Sequence, residues 1–282
     1  MNMKGILYLV ATPIGNLEDM SLRALRTLRE VDLIAAEDTR HTAKLLNHFD
    51  IKKTLTSYYE HNKFEKGSQL IGQLLEGRNV ALVSDAGSPG ISDPGEDLVK
   101  LAIENGIEVT MIPGPVAAIT GLVLSGLPTG RFVFEGFLPM NKKLRKQRLQ
   151  HVKNEARTIV FYEAPHKLVS TLKDLFLTLG DRRIVLAREL TKHFEQVIRC
   201  TLSEAVGRYT DELPKGEFVL ILEGVNEKLV HDEKKKKWDS ISLREHLEMY
   251  LEQGLDRKDA IKRVSEDREI SRREVYNNCL ER

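Results

Sequence analysis

The segment VALVSDAGSPGISDPG, residues 80–95, joins a short apolar run to a loop that is rich in glycine and proline. The four apolar residues 80–83 have the length and composition of a buried β-strand. The loop at residues 84–95 contains three glycines and two prolines. Glycine lets a backbone approach a ligand closely or adopt positive φ, and proline stiffens the chain. The segment predicts a strand that ends in a ligand-accessible loop, although composition alone is equally compatible with an ordinary surface turn.

An alternation of apolar strands and amphipathic helices runs through the first half of the chain. Strands are predicted at residues 6–10, 33–36, 80–83, 109–112 and 132–135. Helices are predicted at residues 21–29, 39–49, 63–75, 95–105 and 115–124. This alternation predicts a mostly parallel sheet, in which ligands bind beyond the carboxyl ends of the strands. The loops at residues 12–15, 84–95 and 113–115 follow three of these strands, so we expect them to border one crevice.

A second α/β domain is predicted to begin near residue 137. Its helices are expected at residues 141–153, 165–179 and 203–209. Its strands are expected at residues 158–162, 184–187, 195–201 and 217–222. Because two of these strands follow each other without a helix between them, we expect a mixed, partly antiparallel sheet.

The remainder of the chain is predicted to be a linker followed by a small helical bundle. Residues 225–240 are polar and include four consecutive lysines at 234–237. Helical patterns follow at 242–253, 256–267 and 271–280, with Gly254 as a C-cap and Asp256 and Ser271 as N-caps. The predicted organisation is an α/β protein with domains at 1–136 and 137–224, a linker at 225–240 and a helix-turn-helix tail at 241–282.

Composition limits the classes of function. The 282 residues include 43 basic and 42 acidic side chains, so any affinity for nucleic acid must come from local patches. Cys200 and Cys279 form no Cys-x-x-Cys pair, and P-loop, Gly-x-Gly-x-x-Gly and His-Glu-x-x-His motifs are absent. We therefore expect no metal. The apolar stretch at residues 5–11 is too short for a signal peptide and no segment is long enough to span a membrane, so we expect a cytoplasmic enzyme.

Eight short segments carry a resemblance to a known family. In chain order they are LVATPIGNL (9–17), AEDTR (36–40), VSDAGSPGISDPG (83–95), IPGPVA (112–117), EGFLP (135–139), FYEAPH (161–166), ARELTK (187–192) and KGEFVLILE (215–223). Together they resemble the ribosomal RNA small subunit methyltransferase I family of the tetrapyrrole methylase superfamily. The resemblance spans residues 5–224, and the helical tail is similar to that family's C-terminal helix-turn-helix segment.

The resemblance implies two α/β domains with S-adenosylmethionine in the cleft between them, in a homodimer. It also implies methyl transfer to the ribose 2′-hydroxyl of a cytidine in the decoding region of 16S rRNA, within the small ribosomal subunit. The implied cofactor-binding residues are Pro13, Gly15, Asp85, Ala86, Gly87, Ser88, Pro89, Ile91, Ser92, Asp93, Pro113, Gly114, Ala117, Ala118, Leu138 and Tyr162. Tetrapyrrole members carry a Gly-Pro-Gly-Asp type first loop, where this chain has Thr-Pro-Ile-Gly-Asn at residues 12–16, which argues against a porphyrin-like substrate.

A ribose hydroxyl is weakly acidic, so a base or a cation near its oxygen would assist the transfer. The candidates within the matched motifs are Asp38, Arg40, Glu163, His166, Glu189 and Lys192. Asp38 could instead cap the helix that follows it, and His166 could be a surface residue of a first helical turn. Glu189 and Lys192, three residues apart, could form a local ion pair. We expect a cluster to act together and select no single base.

The strongest local charge bias lies between residues 141 and 157, where seven basic residues face one acidic residue, Glu155. We expect Lys142, Lys143 and Arg145 to contact RNA phosphates, although a solvated basic helix has the same composition. Tyr58, Tyr59 and Phe137 are candidates to stack on a base, and core packing is the alternative for each.

The sequence is compatible with two other functions. The same fold could methylate a small tetrapyrrole-like or diphthine-like acceptor. Alternatively, the chain could be a helix-turn-helix nucleic-acid-binding protein whose α/β part senses a metabolite. The basic segment and the first loop count against the former, and the eight enzyme-family motifs count against the latter.

Overall fold

The computed structural model of the chain describes residues 4–209, 214–226, 238 and 241–279. These residues form two compact units. The larger runs up to Lys153 and continues at Arg157–Glu223, and the smaller combines Asn154–Ala156 with the chain from Gly224 onward.

The first sheet of the larger unit is parallel throughout, as predicted. Its strands are β1 (Ile6–Val10), β2 (Leu33–Ala36), β3 (Leu55–Ser57), β4 (Val80–Val83) and β5 (Glu108–Ile112), in the order β3-β2-β4-β1-β5. Its helices are α1 (Leu22–Glu30), α2 (Thr39–His48), α3 (Lys63–Leu75), α4 (Gly95–Glu104) and α5 (Ala117–Ser125), and a short 3-10 helix spans Leu17–Asp19. Strand β3 escaped prediction because its three half-buried residues, Leu-Thr-Ser, contain no apolar run.

Successive side chains of this sheet enter two different cores, because alternate residues of a strand point to opposite faces. One core contains Leu7 and Leu82 together with Leu70 and Leu74 of α3. The core on the other face contains Val10, Ile34 and Ala81 together with Leu28 of α1 and Leu46 of α2. The sheet is therefore buried on both faces, and its open ends are left for the loops that follow the strands.

The second sheet is mixed, as predicted. It contains β6 (Phe132–Phe137), β7 (Thr158–Glu163), β8 (Arg183–Arg188), β9 (Gln196–Thr201) and β10 (Phe218–Leu222), in the order β6-β7-β10-β8-β9. The pair β6–β7 is parallel and the other three pairs are antiparallel. Its helices are α6 (Lys142–His151), α7 (Pro165–Leu179) and α8 (Leu202–Arg208).

Strand β6 places the change from the first sheet to the second earlier in the chain than the predicted domain boundary at residue 136. Phe132 pairs with Thr158 of β7, so the whole strand belongs to the second sheet and the change of sheet lies before Phe132. The register shifts between Phe134 and Gly136, where Gly136 has a φ of 61°. This is a β-bulge within one strand and not the start of a new domain.

Helix α5 joins the two sheets. It follows β5 of the first sheet along the chain but packs on the second sheet, against β7, β8, β9 and β10. Leu122 shares a core with Val160 and Ile221. Gly121 allows the close approach, because a Cβ at this position would lie 3.1 Å from Cγ1 of Val219.

Residues 241–279 of the smaller unit form three helices, α9 (Leu243–Glu252), α10 (Arg257–Arg268) and α11 (Arg272–Asn278). Side chains of Asp256 and Ser271 cap the second and third, and Gly254 follows the first with a φ of 87°, as predicted. A core of Leu247, Ala260, Val264 and Val275 holds them together. Apart from Val225, Asn226 and Trp238, the predicted linker with its lysine run lies outside the described residues. Across the described ranges, no helix is long and apolar enough to cross a membrane.

The packing of α5 predicts that Gly121→Val lowers the free energy of unfolding of the larger unit by about 1–3 kcal/mol, because the added atoms overfill a close contact. The matched control is Gly72→Val in α3, where a Cβ meets open space. We expect it to change stability by less than about 0.5 kcal/mol. Urea unfolding followed by circular dichroism measures both, and equal effects would contradict the proposed close approach.

Candidate functional site

A cavity of about 570 Å³ lies where the loops after the first sheet meet the second sheet, and we call it the main cavity. The predicted site residues that line it are Asp85, Ala86, Gly87, Ser88, Ile91, Ser92, Asp93, Ala117, Tyr162, Glu163, His166, Glu189 and Lys192. Both halves of the larger unit contribute. The 84–95 loop forms one wall, and β7, the start of α7 and the 187–192 segment form the facing wall.

The 84–95 loop is held by its own hydrogen bonds and by the first loop. Thr12 and Gly87 exchange two backbone hydrogen bonds, of 2.9 and 3.0 Å. The Asp93 carboxylate accepts from the backbone N–H groups of Gly90, at 2.9 Å, and Gly95, at 2.8 Å. Gly87, Gly90 and Ser92 have φ between 64° and 88°, a region that favours glycine. The loop is therefore held in one conformation by these hydrogen bonds, and its residues 84–88 and 91–93 line the cavity.

Three carboxylates gather on this wall, and one of them was not predicted. Glu37, which directly follows β2, lines the main cavity with Asp85 and Asp93. Partial burial, together with the negative charges of Asp85 and Asp93, raises the pKa of the Glu37 carboxyl above its usual range. The sequence signal for Glu37 is its position within the AEDTR segment, where Asp38 and Arg40 are the predicted site residues instead.

The structure places Asp38 and Arg40 in a local helix cap and ion pair, and neither residue is among those that line the main cavity. Asp38 is the N-cap of α2 and accepts from the Arg40 backbone N–H at 2.8 Å. The Arg40 guanidinium also binds the Asp38 carboxylate, at 2.8 Å. These bonds hold the pKa of Asp38 well below its usual range, so it is a poor proton acceptor. The Asp38 N–H donates to Asp85 at 3.0 Å, which fixes α2 against the loop.

The carboxylate of Glu163 lies in the opposite wall and is 3% exposed. One oxygen accepts from the Ala164 N–H at 2.9 Å and the other from the Thr171 hydroxyl. Thr171 in turn accepts from the Arg145 guanidinium at 2.7 Å, and Arg145 also bonds Asp174 at 2.6 Å. Glu163 is therefore anchored from behind by a buried chain of polar groups.

The bonds of Arg145 overturn the prediction that this residue contacts RNA. The Arg145 side chain is buried inside the protein and bound to Asp174 and Thr171. Lys142 and Lys143 are exposed at the start of α6, as that prediction required. The density of basic residues on α6 does not show that Arg145 points inward while Lys142 and Lys143 point outward. Leu149 lies four residues after Arg145, on the same face of the helix, and is also buried.

Glu189 and Lys192 form a local ion pair, which is the alternative to a catalytic role that the sequence left open for them. The Lys192 Nζ lies 2.9 Å from Oε1 of Glu189 and 3.0 Å from Oε2 of Glu217. Burial raises the pKa of Glu189, but the Glu217 N–H and the Lys192 ammonium outweigh it and lower that pKa. Burial lowers the pKa of Lys192, but its two carboxylate partners outweigh it and raise that pKa. Both groups are therefore held in their charged forms.

Tyr162 and its neighbours form the aromatic part of the cavity. The Tyr162 hydroxyl accepts from the Ala118 N–H at 3.1 Å, which ties β7 to the start of α5. The Phe137 ring lies 5.5 Å from the Tyr162 ring and is 54% exposed. Leu138 was predicted in this role but is buried in the core of the second sheet. The bulge in β6 sets which of the two residues faces the cavity. Tyr58 is a core residue and donates to the Pro94 carbonyl at 3.1 Å.

Four of the remaining predicted residues lie beside the main cavity. Pro89 is buried within the 84–95 loop, and Ala118 is buried in the core that α5 forms with the second sheet. Pro113 and Gly114 are exposed, and Gly114 approaches Ala11 so closely that a Cβ would lie 2.8 Å from the Ala11 Cβ. These positions support the wall and do not form its surface.

Pro13 and Gly15 line a second cavity, of about 650 Å³, which we call the side cavity. It shares Ile14, Asp85, Ala86, Lys192 and Glu217 with the main cavity, so the two are neighbours along a common wall. A Cβ on Gly15 would lie 2.4 Å from Cγ of Lys192, and the Asn16 N–H donates to the Thr191 hydroxyl at 3.1 Å. The first loop therefore passes directly against the ion-pair segment.

Several known proteins are similar to this chain. The family model of the tetrapyrrole (corrin/porphyrin) methylases matches residues 6–206. A Halalkalibacterium halodurans protein named ribosomal RNA small subunit methyltransferase I is 55% identical over 274 residues, covering 97% of this chain and 94% of the relative. A Bacillus subtilis protein of the same name is 49% identical over 273 residues, covering 97% and 93%.

Solved structures share the fold at low sequence identity. Uroporphyrin-III C-methyltransferase from Thermus thermophilus, complexed with S-adenyl homocysteine, aligns with a TM-score of 0.55 at 21% identity and covers 77% of this chain and 97% of its own. A diphthine synthase aligns with a TM-score of 0.59 at 16% identity and covers 78% and 89%. The relatives and the family model agree: the chain belongs to the ribosomal RNA small subunit methyltransferase I family, within the tetrapyrrole methylases.

Proposed function

We propose that this protein transfers a methyl group from S-adenosylmethionine to the 2′-hydroxyl of a cytidine ribose in the decoding region of 16S rRNA. The observation that carries the proposal is the pair of adjoining cavities, one walled by carboxylates and one bordered by basic side chains. The closely similar relatives are named for small-subunit ribosomal RNA. Such a substrate places the enzyme in the cytoplasm.

The main cavity fits S-adenosylmethionine in charge and in shape. Burial and, after it, the negative charges of Asp85 and Asp93 raise the pKa of Glu37, and a bound cation would offset both effects; this donor carries an ammonium and a sulfonium. Val116, Phe137 and Tyr162 offer an apolar and aromatic surface for the adenosine. When bound, the donor supplies a methyl group on a positively charged sulfur, which an attacking oxygen displaces.

The protein's own groups would orient the acceptor and handle its proton. Lys192 keeps its proton, because its two carboxylate partners raise its pKa. It lines both cavities, so its ammonium can hold an anionic oxygen there. Glu163 is committed to the Ala164 N–H and to Thr171, so it shapes the wall. His166 is exposed in the main cavity, and imidazole is the most frequent general base in enzymes. We assign His166 to accept the hydroxyl proton.

We also propose that the enzyme is a homodimer. Helix α5 is apolar on every side, a composition that normally belongs to a buried helix. Its residues Ile119 and Val123 are nevertheless 44% and 66% exposed in the single chain. A second copy would cover them. Sedimentation at micromolar concentration measures the mass, and a monomer would refute the proposal.

The function is tested by transfer of tritiated methyl from labelled S-adenosylmethionine to three acceptors: bare 16S rRNA, assembled small subunits and a precorrin-like tetrapyrrole. We expect label in the ribosomal acceptors, at a ribose 2′-oxygen. His166→Gln should lower kcat about 100-fold with unchanged donor affinity. Label in the tetrapyrrole with none in any RNA would support the small-acceptor alternative instead.

Glu37→Gln should weaken binding of S-adenosylmethionine by up to about tenfold, because one attractive carboxylate is lost. The product, whose sulfur is neutral, should be less affected. Calorimetric titration measures both affinities. Glu104→Gln, at an exposed position at the end of α4, is the control.

The same substitution should change the pH dependence of stability in a defined direction. Because the folded-state pKa of Glu37 is raised, its stabilising contribution is complete below its ordinary pKa and is lost as pH rises through the raised value. Glu37→Gln removes this loss, so the donor-free variant should gain stability relative to the wild type at neutral pH. A parallel pH profile of the melting temperature for the two proteins would contradict a raised pKa for Glu37 in the folded protein.

Lys142→Glu with Lys143→Glu should weaken RNA binding and flatten its dependence on salt, with donor affinity unchanged, because exposed lysines release counterions from phosphates. Lys52→Glu with Lys100→Glu is the control, since it makes the same charge change at exposed positions after α2 and on α4. Fluorescence anisotropy of a labelled rRNA fragment measures binding at several salt concentrations. Equal losses in the two double variants would show that only overall charge matters.

A further inference from the structure

One basic surface lies apart from α6, on helix α2. His41, Lys44 and His48 are spaced three and four residues apart, so they share one face of the helix. That face, together with Leu45, lines the side cavity. All three polar side chains are exposed.

These three side chains are free to meet a ligand. Across residues 4–209, 214–226, 238 and 241–279, none of the three side chains makes an ion pair or a hydrogen bond with another residue. The His48 ring packs edge-to-face with the Phe49 ring, with ring centres 4.8 Å apart. A row of exposed basic groups that satisfies no internal carboxylate is suited to an external anion.

The acidic groups of the side cavity are already engaged elsewhere. Asp85 accepts from the Asp38 N–H at 3.0 Å and sits on the wall shared with the main cavity. Glu217 is bound to Lys192 at 3.0 Å. Charge is therefore divided across the two cavities, with carboxylates toward the main cavity and the unpaired basic groups along α2.

This division matches an RNA acceptor. The reacting ribose must approach the methyl donor, while the phosphates on either side of it carry negative charge and must stay away from the carboxylates. A volume of about 650 Å³ is within the range that holds a nucleotide-sized ligand. Phosphate contacts fix the register of a nucleic acid without reading its bases.

We propose that the α2 face formed by His41, Lys44 and His48 binds a backbone phosphate next to the target ribose and thereby sets which ribose enters the main cavity. The inference rests on the proposed function, because it takes the acceptor to be RNA. It assigns α2 the contact beside the reacting nucleotide and leaves α6 a separate contact with the RNA.

The test is Lys44→Gln, with Lys52→Gln as the matched control. Lys52 is exposed just beyond the end of α2, outside both cavities. We expect Lys44→Gln to raise KM for the RNA about tenfold and to reduce the slope of log affinity against log salt by about one. Donor affinity, circular dichroism and the control variant should match the wild type. Unchanged KM and slope in Lys44→Gln would overturn the proposal.

A second measurement locates the contact. An RNA fragment that carries a neutral methylphosphonate beside the target cytidine should bind the wild type more weakly by a similar factor. If Lys44 contacts that phosphate, Lys44→Gln should lose little further affinity with the modified RNA, because effects on one contact do not add. Additive losses at both flanking phosphates would contradict the assignment. Binding by anisotropy requires no methyl transfer, so a failure of the proposed function would be recognised separately, as absence of label from every RNA.

Discussion

The passage of the first loop between the two sheets depends on one position that has no room for a side chain. A Cβ on Gly15 would lie 2.4 Å from Cγ of Lys192 and 2.8 Å from the Thr191 hydroxyl oxygen. On one side of this contact, Thr12 is bonded to Gly87 of the 84–95 loop. On the other, Glu189 and Lys192 form their ion pair. The carboxylate wall, the ion pair and both cavities are neighbours because the first loop packs against residues 190–192.

The electrostatics of the site follow from that arrangement. Three carboxylates lie together on the 84–95 loop and after β2, where burial and the charges of Asp85 and Asp93 raise the pKa of Glu37. Lys192 is kept protonated on the wall that both cavities share. A cationic methyl donor and a polyanionic acceptor can therefore occupy adjoining spaces, each beside groups of the opposite charge.

The sequence was sufficient to predict what depends on local pattern. Short apolar runs located nine of the ten strands found among the described residues, and the glycine and proline content of residues 84–95 marked a loop that lines a cavity. Contacts between segments that lie far apart along the chain could not be predicted from local sequence pattern. Arg145 was placed outside because its neighbours are basic, yet Asp174 and Thr171 of α7 hold it inside. Phe137 replaced Leu138 in the cavity because a bulge at Gly136 shifts the register of β6. The pKa of Glu37 is raised by its burial and by Asp85 and Asp93, which lie 48 and 56 residues away along the chain, so no local pattern marks it.

Mapping of ribose 2′-O-methylation on 16S rRNA, in cells that lack this gene and in cells to which it is returned, tests the central claim most directly. We predict that one cytidine of the decoding region loses its 2′-O-methyl group in the deletion and regains it with the wild-type gene. An identical methylation pattern in the two strains would contradict the function.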